Sequence, residues 1–195
     1  MTLDLGVWWN MRRKAFQNML IVGVEDGSFQ KGITREALLA IVLLRQATIK
    51  NVKVTKITVD GLDATEKLAK ILENWEFDVV LLAGVSYGGF NLINPMLIHE
   101  RFKKPIIIIA QTKPNNKAVR RALKRHFEDW EIRWKVFQRL GPVHKIHIKS
   151  DEAPLYMETV GANVRWASSL VRFLCFCGRI PEPLRAARLI ARGLS

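Results

Sequence analysis

The chain has 195 residues, 49% of them apolar and 25% charged, which suits a single domain with a substantial core. No apolar run approaches the roughly 18 residues that a membrane span needs, so the composition excludes a protein built on membrane-spanning helices. Lysine and arginine number 31 against 18 acidic residues, a formal net charge of +13. This excess predicts attraction to polyanions such as nucleic acid, and a generally basic solvated surface is the alternative.

The first 18 residues mix apolar side chains with the basic triplet Arg12–Lys14. We interpret them as an N-terminal arm that packs on the domain or on a partner chain, and Trp8 and Trp9 suggest a surface for a homo-oligomer. The apolar part precedes the basic part, which is the reverse of a secretory signal. We therefore expect a cytoplasmic protein.

Three strands are predicted next, at residues 19–25, 36–46 and 48–60. They are apolar or alternating, rich in β-branched residues, and separated by no long helix, so we expect antiparallel neighbours. Asp63 then opens a helix, with Glu66 three residues further on as in a capping box.

The second half of the chain alternates helix and strand. The predicted order is a strand at 78–85, a turn at 86–91, a helix through Arg101, an apolar strand at 105–110, a long helix at 113–140, short edge strands at 144–149 and 155–160, and helices at 161–178 and 183–194. This order predicts an α/β fold, a mixed sheet flanked by helices, with appended C-terminal helices. We expect one domain over residues 19–195.

The most informative stretch is the end of the first strand, where an apolar run stops at Glu25 and Asp26. Carboxylates at a strand end are the hard oxygen ligands that Mg²⁺ prefers, so this pair is a candidate metal site. Adjacent strand residues point to opposite faces, and only one of the two would face a given site unless the turn at Gly27 redirects the second. The alternative is an acidic turn in which Asp26 accepts backbone hydrogen bonds.

Ligands of α/β proteins gather at the carboxyl ends of the strands. We place the two acids there, together with Lys113 and with the turn that follows the fourth strand, formed by Tyr87, Gly88, Gly89 and Asn91. Asp60 is a third candidate acid. If the third strand runs antiparallel to the first, however, Asp60 lies at the opposite edge, and Asp60–Gly61 is then a simple turn.

Basic residues concentrate between 117 and 139, where eight lysines and arginines face three acids. Five of the eight share one face of the predicted helix and, with Lys113, form the predicted nucleic-acid-binding surface: Lys117, Arg120, Arg121, Lys124 and Arg125. Like charges at this spacing repel, so a polyanion would stabilise the face. Trp130 and Trp134 are either core residues or stacking surfaces for bases.

Five motifs occur in order along the chain: Gly23–Phe29, Val59–Glu66, Gly88–Asn91, Ala122–Phe127 and Pro181–Arg185. Together they resemble an archaeal family catalogued as domain of unknown function ninety-nine, over residues 19–195. That family is similar to endonuclease V. The resemblance implies a ribonuclease-H-like fold with a five-stranded mixed sheet.

In endonuclease V, a strand-one Asp, a Glu and a strand-four Asp bind Mg²⁺ and hydrolyse a phosphodiester beside a deaminated base. The strand-one position falls here on Glu25, whereas the strand-four position falls near Ala83, which has no carboxylate. The resemblance therefore implies a Mg²⁺- or Mn²⁺-dependent nuclease in which Glu25 and Asp26 hold the metal and Asp60 is a further catalytic acid. The alternative is a catalytically inactive protein that binds nucleic acid on the same fold.

Overall fold

The structure is a computed structural model that describes residues 14–195. The predicted partner surface at Trp8 and Trp9 lies outside the described residues and stays a prediction. Residues 14–18 are helical, and Phe16 is buried against two aromatic rings, those of Trp166 and Phe173. The end of the predicted arm therefore packs on the domain.

Seven strands of the described chain form one mixed sheet in the order β3-β2-β1-β4-β7-β9-β8. Their bounds are β1 Leu20–Asp26, β2 Glu36–Arg45, β3 Thr48–Thr58, β4 Val79–Leu82, β7 Ile106–Ala110, β8 His144–Ile146 and β9 Leu155–Val160. A separate hairpin consists of β5 (Ser86–Tyr87) and β6 (Asn91–Leu92). The sheet exceeds the predicted five strands because β9 pairs with β7 and β8 pairs with β9, so both predicted edge segments extend it.

The direction of β3 corrects one expectation. Strand β1 is antiparallel to β2, and β2 is antiparallel to β3, so β3 runs parallel to β1. Asp60 therefore follows the carboxyl end of β3, at the same edge of the sheet as Glu25. The expectation of an opposite edge was wrong because β2 lies between the two strands.

Six helices follow β3: α1 Ala64–Leu72, α2 Pro95–Phe102, α3 Asn116–His126, α4 Trp130–Gln138, α5 Val164–Leu174 and α6 Glu182–Gly193. Helices α1 to α4 contribute to the core on one face of the sheet, whereas α5 and α6 pack on the other. No helix in the described residues combines the length and the apolar character needed to cross a membrane.

The long helix predicted at 113–140 is interrupted between α3 and α4. Phe127 has an extended backbone, and its ring packs edge-on against Phe90 with the ring centroids 5.6 Å apart. The guanidinium of Arg133 lies over Phe127 at 4.3 Å and donates hydrogen bonds to the carbonyls of Gly61 and Phe90. These contacts with distant segments outweigh the helical pattern and place α4 against the turn that follows β3.

Helix α6 lies directly on β1, and two glycines make this contact possible. A side chain at Gly23 would overlap the carbonyl of Pro183, and one at Gly27 would overlap the carbonyl of Ala191. The segment Pro181–Arg185 thus begins α6 and seats it on the strand. Within it, Glu182 accepts hydrogen bonds of 2.5 and 2.7 Å from Arg185.

Candidate active site

Glu25 and Asp26 end β1 on opposite faces of the sheet. Glu25 lies between the two glycines that contact α6, so by alternation it faces that helix. On the other face, Oδ2 of Asp26 accepts a hydrogen bond of 2.7 Å from the backbone N–H of Gly88. The hairpin of β5 and β6 therefore holds Asp26, and this donor lies 62 residues away rather than in the local acidic turn that the alternative predicts. Glu25 has a different set of neighbours.

The pKa values of both carboxylates are raised above their ordinary values. Burial, with a smaller contribution from the charge of Asp26, raises the pKa of Glu25 to about 7, although Arg188 and Arg192 of α6 partly oppose this. Burial also raises the pKa of Asp26, despite the hydrogen bond from Gly88. The two arginines therefore lie close enough to act on Glu25, and sequence analysis missed their relation to the site because it depends on how α6 crosses β1.

Tyr87 lies beside the pair in the protein interior. Its hydroxyl donates to the carbonyl of Gly84 at 3.2 Å. Burial, followed by the charges of Glu25 and Asp26, raises the pKa of Tyr87 well above its usual value. A buried neutral phenol thus lies near the two carboxylates and supplies no positive charge to them.

Asp60 approaches the same turn from β3. Its carboxylate accepts a hydrogen bond of 2.8 Å from the N–H of Phe90, and its own N–H donates to the carbonyl of Gly88 at 2.8 Å. A side chain at Gly89, which has a φ of +87°, would overlap this carboxylate. The structure thus brings Asp26 and Asp60 to one turn, where Asp60 holds the backbone in place.

A second acid network lies behind the turn. The carboxylate of Asp63 accepts hydrogen bonds from the N–H and hydroxyl of Thr58 and from the amide of the buried Asn91. Burial would raise the pKa of Asp63, but hydrogen bonds from Lys67, Asn91 and Thr58 lower it to about 2. Asp63 is the N-cap residue of α1, as predicted, but the expected capping-box hydrogen bond is wrong, because its side chain does not cap the helix. The side chain of Asn91 accepts from Ala64 N–H, at 3.0 Å, instead.

Ala83 occupies the place where a third metal-binding acid was expected. The register of β1 and β4 pairs Val24 with Leu82, and Ala83 N–H donates to the Val24 carbonyl at 3.3 Å, so Ala83 lies next to Glu25. Within residues 14–195, no three Asp, Glu, His or Cys side chains are grouped so as to hold a metal ion. Mg²⁺ commonly takes one or two carboxylates with waters and phosphates, so Glu25 and Asp26 could serve one Mg²⁺ or Mn²⁺. Because they leave β1 on opposite faces, such an ion would have to lie beyond the end of the strand.

The predicted basic face is exposed along α3, as is Lys113 in the loop after β7. Arg120 lies over the ring of Trp134 at 5.8 Å, and Lys124 lies over the ring of Trp130 at 4.4 Å. Both tryptophans also pack against the core, as the core interpretation predicts. Their rings hold two of the five cations in place, so the face is partly pre-ordered for an anionic ligand.

The family comparison covers nearly the whole described chain. Residues 17–195 match the family described as Endonuclease dU. The UPF0215 protein of Thermococcus gammatolerans is 35% identical over 188 residues, covering 93% of this chain and 94% of that protein. The UPF0215 protein of Methanothermobacter thermautotrophicus is 32% identical over 188 residues, covering 94% and 91% respectively.

Solved structures show the same fold. A protein of unknown function from Archaeoglobus fulgidus superposes with a TM-score of 0.80 at 26% identity, covering 91% of this chain and 98% of that one. Endonuclease V of Ciona intestinalis, in complex with DNA containing an inosine followed by a ribo-adenosine, superposes with a TM-score of 0.59 at 14% identity. That superposition covers 94% of this chain and 93% of that one. The mixed sheet flanked by helices is therefore an endonuclease V-like fold.

Proposed function

This chain belongs to the endonuclease dU family, and from that premise we propose that it is a metal-dependent nuclease acting on phosphodiesters of DNA or RNA. The observation that carries the proposal is the Glu25–Asp26 pair, two partly buried carboxylates whose pKa values are raised. In the described part of the chain, neither carboxylate forms an ion pair. The likeness to endonuclease V also supports a ribonuclease-H-like assignment of the sheet.

Glu25 and Asp26 would hold the metal just beyond the carboxyl end of β1, because their side chains leave the strand on opposite faces and only an ion past the end of the strand could lie between them. Within residues 14–195 neither carboxylate forms an ion pair, so a metal ion bound between them would stabilise their ionised forms. A bound Mg²⁺ or Mn²⁺ supplies Lewis-acid polarisation of a phosphoryl oxygen and lowers the pKa of a bound water. With Ala83 in place of a third acid, the residues present suit a single ion rather than two.

The nucleic-acid backbone would cross from this pair to α3. Lys113 follows β7 at the same edge of the sheet, and α3 begins three residues later. The five exposed cations of α3 would neutralise phosphates, while Arg188 and Arg192 act near Glu25. We assign Asp60 a positioning role in the hairpin turn rather than a contact with the phosphate, because its hydrogen bonds go to the backbone of Phe90 and Gly88.

The test is cleavage of end-labelled DNA and RNA, single- and double-stranded and with or without inosine, in Mn²⁺ or in EDTA. We expect cleavage in Mn²⁺ that falls by at least about a hundredfold in a Glu25→Gln/Asp26→Asn double variant. The matched control is Asp151→Asn/Glu152→Gln, which removes another adjacent acid pair outside the site and should cleave like wild type. Equal cleavage by wild type and the Glu25/Asp26 variant would contradict the assignment.

A second function is favoured by one observation, the absence of a carboxylate at Ala83. It is binding of nucleic acid without cleavage, through the basic face of α3. This function predicts a gel shift that persists in EDTA and weakens by roughly 10³-fold or more between about 50 and 200 mM salt. Binding that does not weaken with salt would count against it.

A further inference from the structure

Strand β3 forms one edge of the seven-stranded sheet. With 11 residues it is the longest strand of the described chain, and residues 48–53 are all exposed. The strand at the opposite edge, β8, has three residues. An edge strand presents backbone N–H and C=O groups with which another extended chain can pair. The β3 edge is therefore the larger of the two places where the sheet could be extended.

The even-numbered residues of β3 direct their backbone groups away from β2. On the β2 side, the N–H of Val59 donates to the carbonyl of Arg35 at 2.9 Å. On the outer side, the N–H of Thr58 and the carbonyl of Lys56 bond instead to side chains at the start of α1. Because these directions alternate along a strand, the N–H and carbonyl of Val54 also lie on the outer side.

Four backbone groups on this outer side are open between Val52 and Lys56. They are the carbonyl of Val52, both groups of Val54 and the N–H of Lys56. In residues 14–195 no strand pairs with this side of β3 and no side chain bonds to these four groups, whereas the N–H of Val52 bonds to the side chain of Asn51 at 2.9 Å. At 3.3 Å per residue the open stretch is about 13 Å long, the length of a short strand.

Apolar side chains lie beside the open groups on the α6 face of the sheet. Val52 and Val54 pair with two residues of β2 that pack beneath α6, and Ile49 pairs with Leu44 of the same cluster. Val54 is partly covered by this packing, but Val52 is 38% exposed and Ile49 is 47% exposed. A chain lying along β3 would therefore bury apolar surface as well as backbone groups.

The side chains of β3 have positive charges and no negative one. Lys50, Lys53 and Lys56 supply the charge, and Glu36 of β2 pairs with Lys56 at 3.0 Å. Lysines on an edge strand disfavour pairing between copies of the same chain, because two β3 strands would bring lysine against lysine. The same charges attract a strand that has carboxylates, so charge complementarity favours an acidic partner over a second copy.

We propose that the outer edge of β3 binds an acidic segment of a partner protein, which adds as an extended strand beside residues 52–56 and alternates apolar with acidic side chains. Its apolar side chains would cover Val52 and Val54 on the α6 face, while its acids reach Lys53 on the other face. In such strand addition, backbone hydrogen bonds give affinity and alternate side chains give specificity. The surface does not include Glu25 or Asp26, so the proposal goes beyond the nuclease and stands without it.

The first test is binding of the full chain to a capped heptapeptide of alternating glutamate and valine. We expect the amides of Val54 and Lys56 to exchange hydrogen more slowly in the complex, while those of Lys53 and Thr55, which face β2, change little. Lys53→Glu should weaken binding by about fivefold. The matched control is Lys145→Glu, a charge reversal at an exposed position of the opposite edge strand, which should bind like wild type.

The second test removes backbone donors. Val54→Pro deletes an N–H on the outer side, where an edge strand tolerates proline, and should weaken binding by about tenfold. Two further peptides, methylated on the glutamate nitrogens or on the valine nitrogens, test the same bonds with the unaltered chain. Because these two sets of N–H groups point in opposite directions, one methylated peptide should bind and the other should not.

Four results would overturn the proposal. Equal binding of both methylated peptides, or of a lysine–valine heptapeptide, would show that paired backbone or acidic charge is not required. Displacement of the glutamate–valine peptide by single-stranded DNA, without slower exchange at Val54, would assign the lysines to nucleic acid. Self-association of wild type in sedimentation that Val54→Pro abolishes would assign the edge to a second copy of the chain.

Discussion

Two groups of acids bond to or lie near the β5–β6 hairpin, and the pKa values within them shift in opposite directions. Asp63 accepts hydrogen bonds from Thr58, Asn91 and Lys67, and its pKa is lowered to about 2. Glu25 is more deeply buried beside Asp26, and its pKa is raised to about 7. A carboxylate that already accepts several hydrogen bonds, like that of Asp63, stabilises the fold. A buried carboxylate without such donors, like that of Glu25, is available to bind a cation or a proton.

The largest stability effect should come from the satisfied network. Asn91→Ala removes the acceptor that caps α1 and a donor to Asp63 and Thr58, and leaves buried polar groups unpaired. We expect the free energy of unfolding to fall by about 3 kcal/mol, measured by urea denaturation. Asn74→Ala, an exposed Asn that bonds only to its own helix, should cost less than about 1 kcal/mol. Similar losses in both variants would contradict a special role for the network.

Glu25→Gln should raise the free energy of unfolding rather than lower it. The folded-state pKa of Glu25, about 7, exceeds the ordinary 4.5, so the folded chain binds this proton more tightly and loses stability as the pH rises from about 4.5 to 7. Gln removes that penalty. We expect the variant to be more stable than wild type by about 1–3 kcal/mol at pH 8 and by less at pH 5, measured by thermal unfolding. A variant less stable than wild type at pH 8 would show that Glu25 is already compensated.

Asp63 should show the reverse pH dependence, with a smaller effect. Its folded-state pKa lies below the ordinary 3.8, so its contribution is present above about pH 4 and is lost as the pH falls towards 2. Because the carboxylate is partly exposed to solvent, we expect only about 1 kcal/mol. Comparing acid unfolding of wild type and Asp63→Asn measures it, and identical pH profiles would argue against the network.

The sequence predicts the strands well, because apolar and alternating runs report burial directly. It also places Glu25 and Asp26 at the carboxyl edge, and alternation predicts their opposite faces. The position of Asp60 followed from the same pattern, since two successive antiparallel pairings make β1 and β3 parallel, but the expectation of an opposite edge overlooked β2.

What the sequence does not reveal depends on contacts between distant segments. The break after α3 requires Phe90 to meet Phe127, and the loss of the Asp63 cap requires Asn91 to reach α1. Glu158 is one acid in a short strand, and only the folded sheet shows that it is buried. Local patterns contain no signal for any of these.

The most direct test of the contrast between the two acid groups is a carboxyl-carbon NMR titration of the full chain, with and without Mg²⁺. We predict that Glu25 titrates near pH 7 without the ion, that Asp63 titrates near pH 2, and that Mg²⁺ lowers the pKa of Glu25 while leaving Asp63 unchanged. A Glu25 that titrates near its ordinary 4.5 and does not respond to Mg²⁺ would contradict the account of an uncompensated, ion-binding pair.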